Sequence, residues 1–506
     1  MQSKQGSVPQ RGKARLVPIA MALILSGCAV TPQPMSLADR QATLLSDRQA
    51  MFGSQETVGA PITLQEAMAR ALKYNLDYRV KLMEEAMAQH QLDLSSLDML
   101  PRLALAAGYT ERNKDNASSS ESLSSGSQSL VPSISSERHD RTGDLNLSWN
   151  VLDFGVSYYA SRQQADRVLI LEQRKRKVAQ QLMQQVREAW WQAVGAQQLQ
   201  GRIDDLLKQA EAALADARQV EKQKLRAPLE ALNYRRQLLD VVRQMNMIRN
   251  SLSQAKPRLA AIMNISPGQD FQVAVPPDLP APTLGLGIDK MEDMALLNRP
   301  EINEARYNER ISSLETRKAI AKLLPGLEFS VGEHYDSNRF LTNNAWGDAG
   351  LRISWNLLNL FSAGPITRSA QAELEVSRAQ RMALNMAVLT QVHVAYLDYQ
   401  GRSRQFQLEQ ELNTVELSIY EQTRNAVNSG ASARLQGILA DANAVFSSLR
   451  LYQSYGDLQN AYGQLGASLG LDPMPGSTRG YDLPTLTAAF KGAETQWQGT
   501  VAGETR

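Results

Sequence analysis

Two segments of the chain alternate apolar and polar residues, as strands with one apolar face do. In the first, 143–152, leucines and a tryptophan occupy every second position, and 348–357 repeats the pattern. A second alternating stretch precedes each of them, at 102–111 and 326–335. We therefore predict one β-hairpin in each half of the chain, which makes four strands in all.

Long helices are predicted after each hairpin. From about 157 to 220 and from about 367 to 427, apolar residues recur three and four positions apart and no proline interrupts them. At 1.5 Å per residue such a helix would reach roughly 90 Å, which is too long for a globular domain and indicates lateral packing as a coiled coil. A second long helix follows each, at 229–263 and 435–469, and ends before a proline.

The two halves match each other at constant offsets, which indicates a tandem duplication. Pairs 206 residues apart are Trp149 and Trp355, Val186 and Val392, Leu229 and Leu435, and Pro267 and Pro473. Upstream the offset is 224, because the first copy holds 18 extra residues in a Ser-rich stretch at 118–136. Such a stretch cannot bury a core and is predicted to be an exposed loop.

The N-terminus has the order of a lipoprotein signal. Four basic residues precede the apolar run "LVPIAMALIL", which is too short to span a bilayer, and "LSGC" follows. Cys28 is the only cysteine of the chain. We expect it to carry a diacylglycerol thioether and an N-acyl chain; the alternative is an accidental cysteine in a poorly ordered N-terminus.

These features divide the chain into six segments. They are a signal peptide (1–27), an N-terminal extended segment (28–61), repeat 1 (62–268), a linker (269–288), repeat 2 (289–473) and a C-terminal tail (474–506).

Charge and chemistry exclude several function classes. Without 1–27 the chain has 50 Lys and Arg against 52 Asp and Glu, so it lacks the basic excess typical of nucleic-acid binders. A single cysteine allows no disulfide framework, and the four histidines show no metal-ligand spacing. Phosphate-binding and nucleophile-elbow motifs are also missing. We predict that the protein is not an enzyme and binds no metal.

A membrane location follows from the strands and the lipid signal. The mature sequence has no run of 18 apolar residues for a transmembrane helix, so a barrel of tilted strands remains. Four strands cannot close, since the smallest bacterial barrels use eight; three chains would give twelve. Trp149 and Trp355 would then belong to an aromatic girdle, or alternatively to the core of a soluble sheet.

The sequence resembles the TolC-like outer-membrane efflux family, in particular the lipoprotein branch that includes OprM. The resemblance rests on "LP" before a strand in both halves, on "LSWNVLDFG" and "ISWNLLNLFSAG", and on "NSGASARLQGILADA". It implies a mixed α/β membrane protein, a homotrimeric 12-stranded β-barrel continued by an α-helical periplasmic tunnel. Its partners would be a periplasmic adaptor (a membrane fusion protein) and an inner-membrane pump of the RND, MFS or ABC type. Ala29, where inner-membrane lipoproteins often have Asp, agrees with the outer membrane.

The resemblance also implies that the helical hairpin turns form the periplasmic tip, where the tunnel closes and adaptors bind. The residues concerned are Lys224, Leu229, Gly430, Leu435, Ile438, Leu439 and Asp441. Where many members have an acidic residue, this chain has Leu439, and the nearest acid is Asp441. Leu435, Ile438 and Asp441 could equally be ordinary coiled-coil positions.

Three functions stay open at this point. The first is a passive efflux channel for drugs or other small molecules, and the second is the outer-membrane component of type I protein secretion. The third is a structural or adhesive surface lipoprotein. Two hairpins of membrane-spanning length favour the channel, because an adhesive coiled coil has no use for them.

Overall fold

The computed structural model describes residues 32–129, 131–223, 227–472, 474–475, 480 and 482–503. The predicted signal peptide with Cys28, and also Lys224 and Pro473, lie outside the described residues. The chain divides into two compact units, Met1–Gln55 and Glu56–Arg506.

The first unit contains helix α1, Leu37–Phe52, where the sequence analysis predicted an extended segment. A capping box explains the difference. The side chain of Ser36 accepts a hydrogen bond from the backbone N–H of Asp39, and the carboxylate of Asp39 accepts one from the N–H of Ser36. The helix is then built from Leu, Ala, Arg and Gln, which are good helix formers.

The second unit is mostly helical, with four longer strands. In chain order its elements are α2 (Leu64–Tyr74), α3 (Leu76–Leu97), β1 (Arg102–Glu111), β2 (Ala117–Ser118), β3 (Ser133–Ile134), β4 (His139–Asn150), α4 (Val151–Lys222), α5 (Pro228–Ser253), α6 (Ala255–Ile262), α7 (Ile288–Asn298), α8 (Pro300–Ala321), β5 (Gly326–Asp336), β6 (Ala345–Ser354), α9 (Asn359–Asn428), α10 (Arg434–Ser468) and α11 (Leu483–Val501). The 72 residues of α4 span roughly 110 Å at 1.5 Å per residue.

The four long strands form one antiparallel sheet in the order β1-β4-β5-β6. The two hairpins are joined because β4 also pairs with β5, with Leu147 opposite Val331. The strands β2 and β3 form a separate two-stranded ribbon within the exposed insertion.

Two strands end earlier than predicted. Strand β4 stops at Asn150 because this residue caps α4: its Oδ1 accepts hydrogen bonds from the N–H groups of Leu152 and Asp153 at 3.0 and 3.3 Å. Strand β6 stops at Ser354, which pairs with Gly326, the first residue of β5, so later residues of β6 would have no partner strand.

The predicted single helix over 229–263 is wrong, since the chain forms α5 and α6 with a break at Gln254. Pro257 explains the break. Proline has no N–H and its ring clashes with the carbonyl group four residues earlier, which here belongs to Ser253, the last residue of α5. In contrast, α10 contains no proline and runs unbroken for 35 residues.

The helices form a layer one helix thick. On the side of the sheet the order is α3-α4-α8-α9, and on the other side it is α5-α4-α10-α9, so the two long helices run through both halves. Around the middle, α2, α6, α7 and α11 pack onto this layer and enclose the main hydrophobic core. We call this middle part the belt. No helix in the described part of the chain is both long and apolar enough to cross a membrane.

Candidate functional site

The sheet has one apolar face that is exposed in the single chain. Residues directly opposite each other in the register share a face, as Leu103, Leu147 and Val331 do. The exposed apolar side chains on this face are Leu103, Leu105, Tyr109, Leu145, Leu147, Trp149, Phe329, Val331, Tyr335, Leu351 and Ile353. So large an apolar surface marks a site of contact with lipid or with another protein.

The two tryptophans predicted for a girdle lie at the helical end of the sheet. Trp149 is 40% exposed, and its ring contacts Phe154 edge to face at 5.8 Å. Trp355 is 45% exposed and its indole N–H donates to the carbonyl oxygen of Leu323 at 3.0 Å. Each ring thus has one exposed part and one anchored part, as interfacial tryptophans do.

The opposite face of the sheet is polar and lined by small residues. Its residues include Ala104, Ala106, Gly108, Asp144, Asn146, Ser148, Glu328, Ser330, Gly332, His334, Asp348, Gly350 and Arg352. A sheet with one apolar and one polar face separates a hydrophobic medium from an aqueous one.

The helical layer has an apolar stripe on each edge. On α3 the exposed residues, at spacings of three, four and seven, are Leu76, Val80, Met83, Met87, Leu94 and Leu97. On α9 they are Met382, Met386, Val394, Leu397, Leu408, Leu412, Val415 and Ile419. Such stripes are typical of helices that pack laterally against another helix. In the single chain these two edges have no partner helix among the described residues.

The turn between α9 and α10 closes at Gly430, as predicted. Its φ of 77° lies in the left-handed region, which glycine adopts without a steric penalty. The N–H of Gly430 donates to the carbonyl oxygen of Val427, and that of Ala431 to Ala426, so the last carbonyl groups of α9 are satisfied. Leu229, beside the other turn, is 72% exposed.

The remaining tip candidates differ in how deeply the structure buries them. Ile438 is buried in a second core formed by α4, α5 and α10, and Leu435 and Leu439 pack against that core half-buried. Asp441 is 6% exposed, and its Oδ1 accepts hydrogen bonds from Arg202 Nη2 at 2.9 Å and Nε at 3.2 Å.

Arg202 is a residue that the sequence analysis missed. Its guanidinium also lies over the ring of Tyr420, 4.9 Å from the centroid, so it connects α4, α9 and α10. No local signal indicated this pair, because the burial of Asp441 is visible only in the fold and Arg202 is 239 residues away in the sequence.

A proline-rich strap at 274–283 crosses the belt. Two buried tyrosines hold it, since Tyr455 donates to the carbonyl oxygen of Pro280 at 3.0 Å and Tyr399 to that of Pro282 at 2.6 Å. Burial raises the pKa of Tyr455 to about 12, so its hydroxyl group stays protonated and donates throughout the physiological range. A cavity of about 790 Å³ lies between strap and helices.

Comparison with known proteins gives a family match over part of the chain. Residues 292–471, which include β5, β6, α9 and α10, match the family model "Outer membrane efflux protein". Over these residues the chain resembles the outer membrane efflux protein family. This family consists of TolC-like channel proteins, not enzymes. Among curated proteins, none matches the sequence.

Solved structures of outer-membrane channels share the fold of this chain. The CmeC channel of Campylobacter jejuni is 14% identical, with a TM-score of 0.64 over 92% of this chain and 97% of CmeC. VceC of Vibrio cholerae is 15% identical, with a TM-score of 0.59 over 80% and 96%. The channel OprN is 18% identical, with a TM-score of 0.59 over 80% and 89%. The sheet and the long helices therefore have the same fold as these outer-membrane channels.

Proposed function

We propose that the protein is the outer-membrane channel of a tripartite efflux system. It would conduct drugs or other small molecules passively from an inner-membrane pump and a periplasmic adaptor across the periplasm and the outer membrane. The observation that carries this proposal is the two-faced sheet, continuous with a helical layer whose edges are both apolar.

The sheet supports assembly into a trimer. Strands β1 and β6 are its edges, and an unpaired edge in a bilayer is costly because no water can satisfy its N–H and C=O groups. Pairing β6 of one chain with β1 of the next removes both edges. Three chains then give a twelve-stranded barrel, with the apolar face toward lipid and the polar face toward the lumen.

The helical edges support the same assembly. When three layers close into a tunnel, α9 of one chain meets α3 near the membrane and α5 near the tip of the next chain. The α9 stripe continues along both contacts, from Met382 to Ile419. Leu232, Leu239 and Met247 on α5 are also exposed and would face its lower part.

The remaining expectations belong to the same proposal. The acyl chains on Cys28 would add an anchor in the outer membrane, and the turns at Leu229 and Gly430 would point toward the adaptor. The insertion at 118–136 would form a long extracellular loop, as long loops of outer-membrane barrels do. The choice of cargo would then be made largely by the pump and the adaptor, not by this chain.

The orientation of the sheet can be tested with two neighbouring residues. Val331→Arg places a charge on the apolar face in the middle of β5, and is expected to cost about 2–4 kcal/mol per chain at the bilayer midplane. Ser330→Arg places the same charge on the polar face and is expected to be tolerated. The measurement is the amount of folded trimer in outer-membrane fractions. Equal loss in both variants would contradict a lipid-facing apolar surface.

The function can be tested by comparing a deletion strain with strains complemented by the wild type or by Val331→Arg. We expect the deletion strain to become hypersensitive to several unrelated compounds, with an unchanged set of secreted proteins. The wild type should restore resistance and Val331→Arg should not. Loss of one large secreted protein at normal susceptibility would instead indicate type I protein secretion.

A further inference from the structure

His334 on β5 lies between two carboxylates on the polar face of the sheet. Its Nδ1 is 2.7 Å from Oδ1 of Asp144 on β4, and its Nε2 is 3.3 Å from Oδ2 of Asp348 on β6. An imidazole carries protons on both nitrogens only in its charged form. Carboxylates at both nitrogens therefore favour the imidazolium. The three side chains together carry one net negative charge per chain.

The neighbouring residues fix the position of this ring. Trp346, directly opposite His334 in the register, stacks on it with 5.4 Å between ring centroids and 21° between planes. Gly332 leaves the space that the ring occupies, since a Cβ atom there would lie 2.6 Å from Nε2 of His334. The cluster is thus held by three adjacent strands.

The cluster lies toward the end of the sheet away from the helices. Strand β5 follows α8 and runs from Gly326 to Asp336, so His334 is two residues from its far end. The side chains of Asp144 and Asp348 are 45% and 61% exposed, and both carboxylates remain open to the aqueous side.

We propose that Asp144, His334 and Asp348 determine the ion selectivity of the channel near its outer mouth. This inference rests on the proposed function, because the polar face becomes a lumen only when three sheets close into a barrel. Three copies of the cluster would then form a ring of negative charge. In each copy the imidazolium would reduce the net charge from two negative charges to one.

Other charges on this face do not cancel the cluster. Glu328 and Arg352 are directly opposite each other near the helices and compensate one another, and Arg102 lies at the same end on β1. Nearer the mouth are two more carboxylates, Asp140 and Asp336. A wall charge acts over about 10 Å at 0.1 M salt, so at the mouth the ring has the dominant effect on passing ions.

The test is the reversal potential of the purified full-length trimer in planar bilayers, under a KCl gradient near 0.1 M. We expect a cation-selective wild type. His334→Gln leaves two uncompensated carboxylates and should raise the ratio of potassium to chloride permeability roughly twofold. Asp348→Asn leaves no net charge in the cluster and should lower this ratio by a similar factor.

Changing the pH supplies a readout that a purely structural role would not produce. Between about pH 5 and about pH 9 the imidazolium loses its proton, so wild-type selectivity should rise toward that of His334→Gln. His334→Gln itself should not respond. The control is His393→Gln on α9, whose imidazole contacts a single carboxylate, Glu292, at 2.6 Å outside the sheet. It should behave like the wild type.

The outcomes separate this inference from the function on which it rests. Channels that form in every variant with unchanged reversal potentials would overturn the selectivity role and leave the channel function intact. A wild-type chain that stays a monomer in detergent would overturn the channel function, and the selectivity role with it. If His334→Gln does not assemble, Asp348→Asn is the deciding variant. A reversal potential of Asp348→Asn equal to that of the wild type would also overturn the inference.

Discussion

Replacing Glu494 by alanine is expected to detach α11 from the belt, at a cost of about 3–5 kcal/mol. Glu494 pairs with Arg187 of α4, whose side chain is 3% exposed, and both terminal nitrogens of the guanidinium are 3.4 Å from Glu494 Oε1. Gln65 donates to the other carboxylate oxygen at 2.6 Å. The substitution would leave a guanidinium with little access to water and no counter-charge.

Hydrogen exchange of the α11 backbone amides would measure this loss, because detachment opens the helix locally without unfolding the long helices. The control is Lys491→Ala on the exposed side of α11, which should change protection little. If protection of α11 is the same in Glu494→Ala and in the wild type, the ion pair does not hold this helix.

The second large effect is expected for Phe406→Ala, at about 3–5 kcal/mol. Phe406 is 2% exposed on α9, and its ring lies 5.0 Å from that of Tyr455 on α10. The substitution leaves a cavity at the last buried apolar position of α9. Equilibrium denaturation followed by helical circular dichroism would measure the change. Gln407→Ala, one exposed position further, is the matched control, and equal midpoints for the two variants would contradict the packing described here.

The hairpins and long helices could be predicted from the sequence because their signals are local. A period of two in 143–152 and a period near 3.6 in α4 are visible without knowing what each element packs against. The exact ends were missed at positions where a single side chain decides, as at Asn150, Pro257 and the capping box of Ser36.

Long-range contacts could not be predicted in the same way. Nothing near β4 in sequence indicates that it pairs with β5, because that pairing joins strands about 190 residues apart. The same holds for Asp441, whose burial depends on Arg202. The turn at Gly430 could be predicted, because glycine is the residue type that adopts a positive φ without a steric penalty. Lys224 and Cys28 stay predictions.

The lower part of α9 has a thermodynamic consequence of its own. Between 407 and 428, all of which the structure describes, Glu409 is the one buried residue, and α9 contributes nothing to the second core. Separating α9 from α10 there would expose little new apolar surface. The heat capacity of unfolding arises mainly from apolar hydration, so such a separation would have a small heat-capacity change. The free energy of this separation would therefore change almost linearly with temperature. The free energy of unfolding of the belt would instead follow a curve with a maximum.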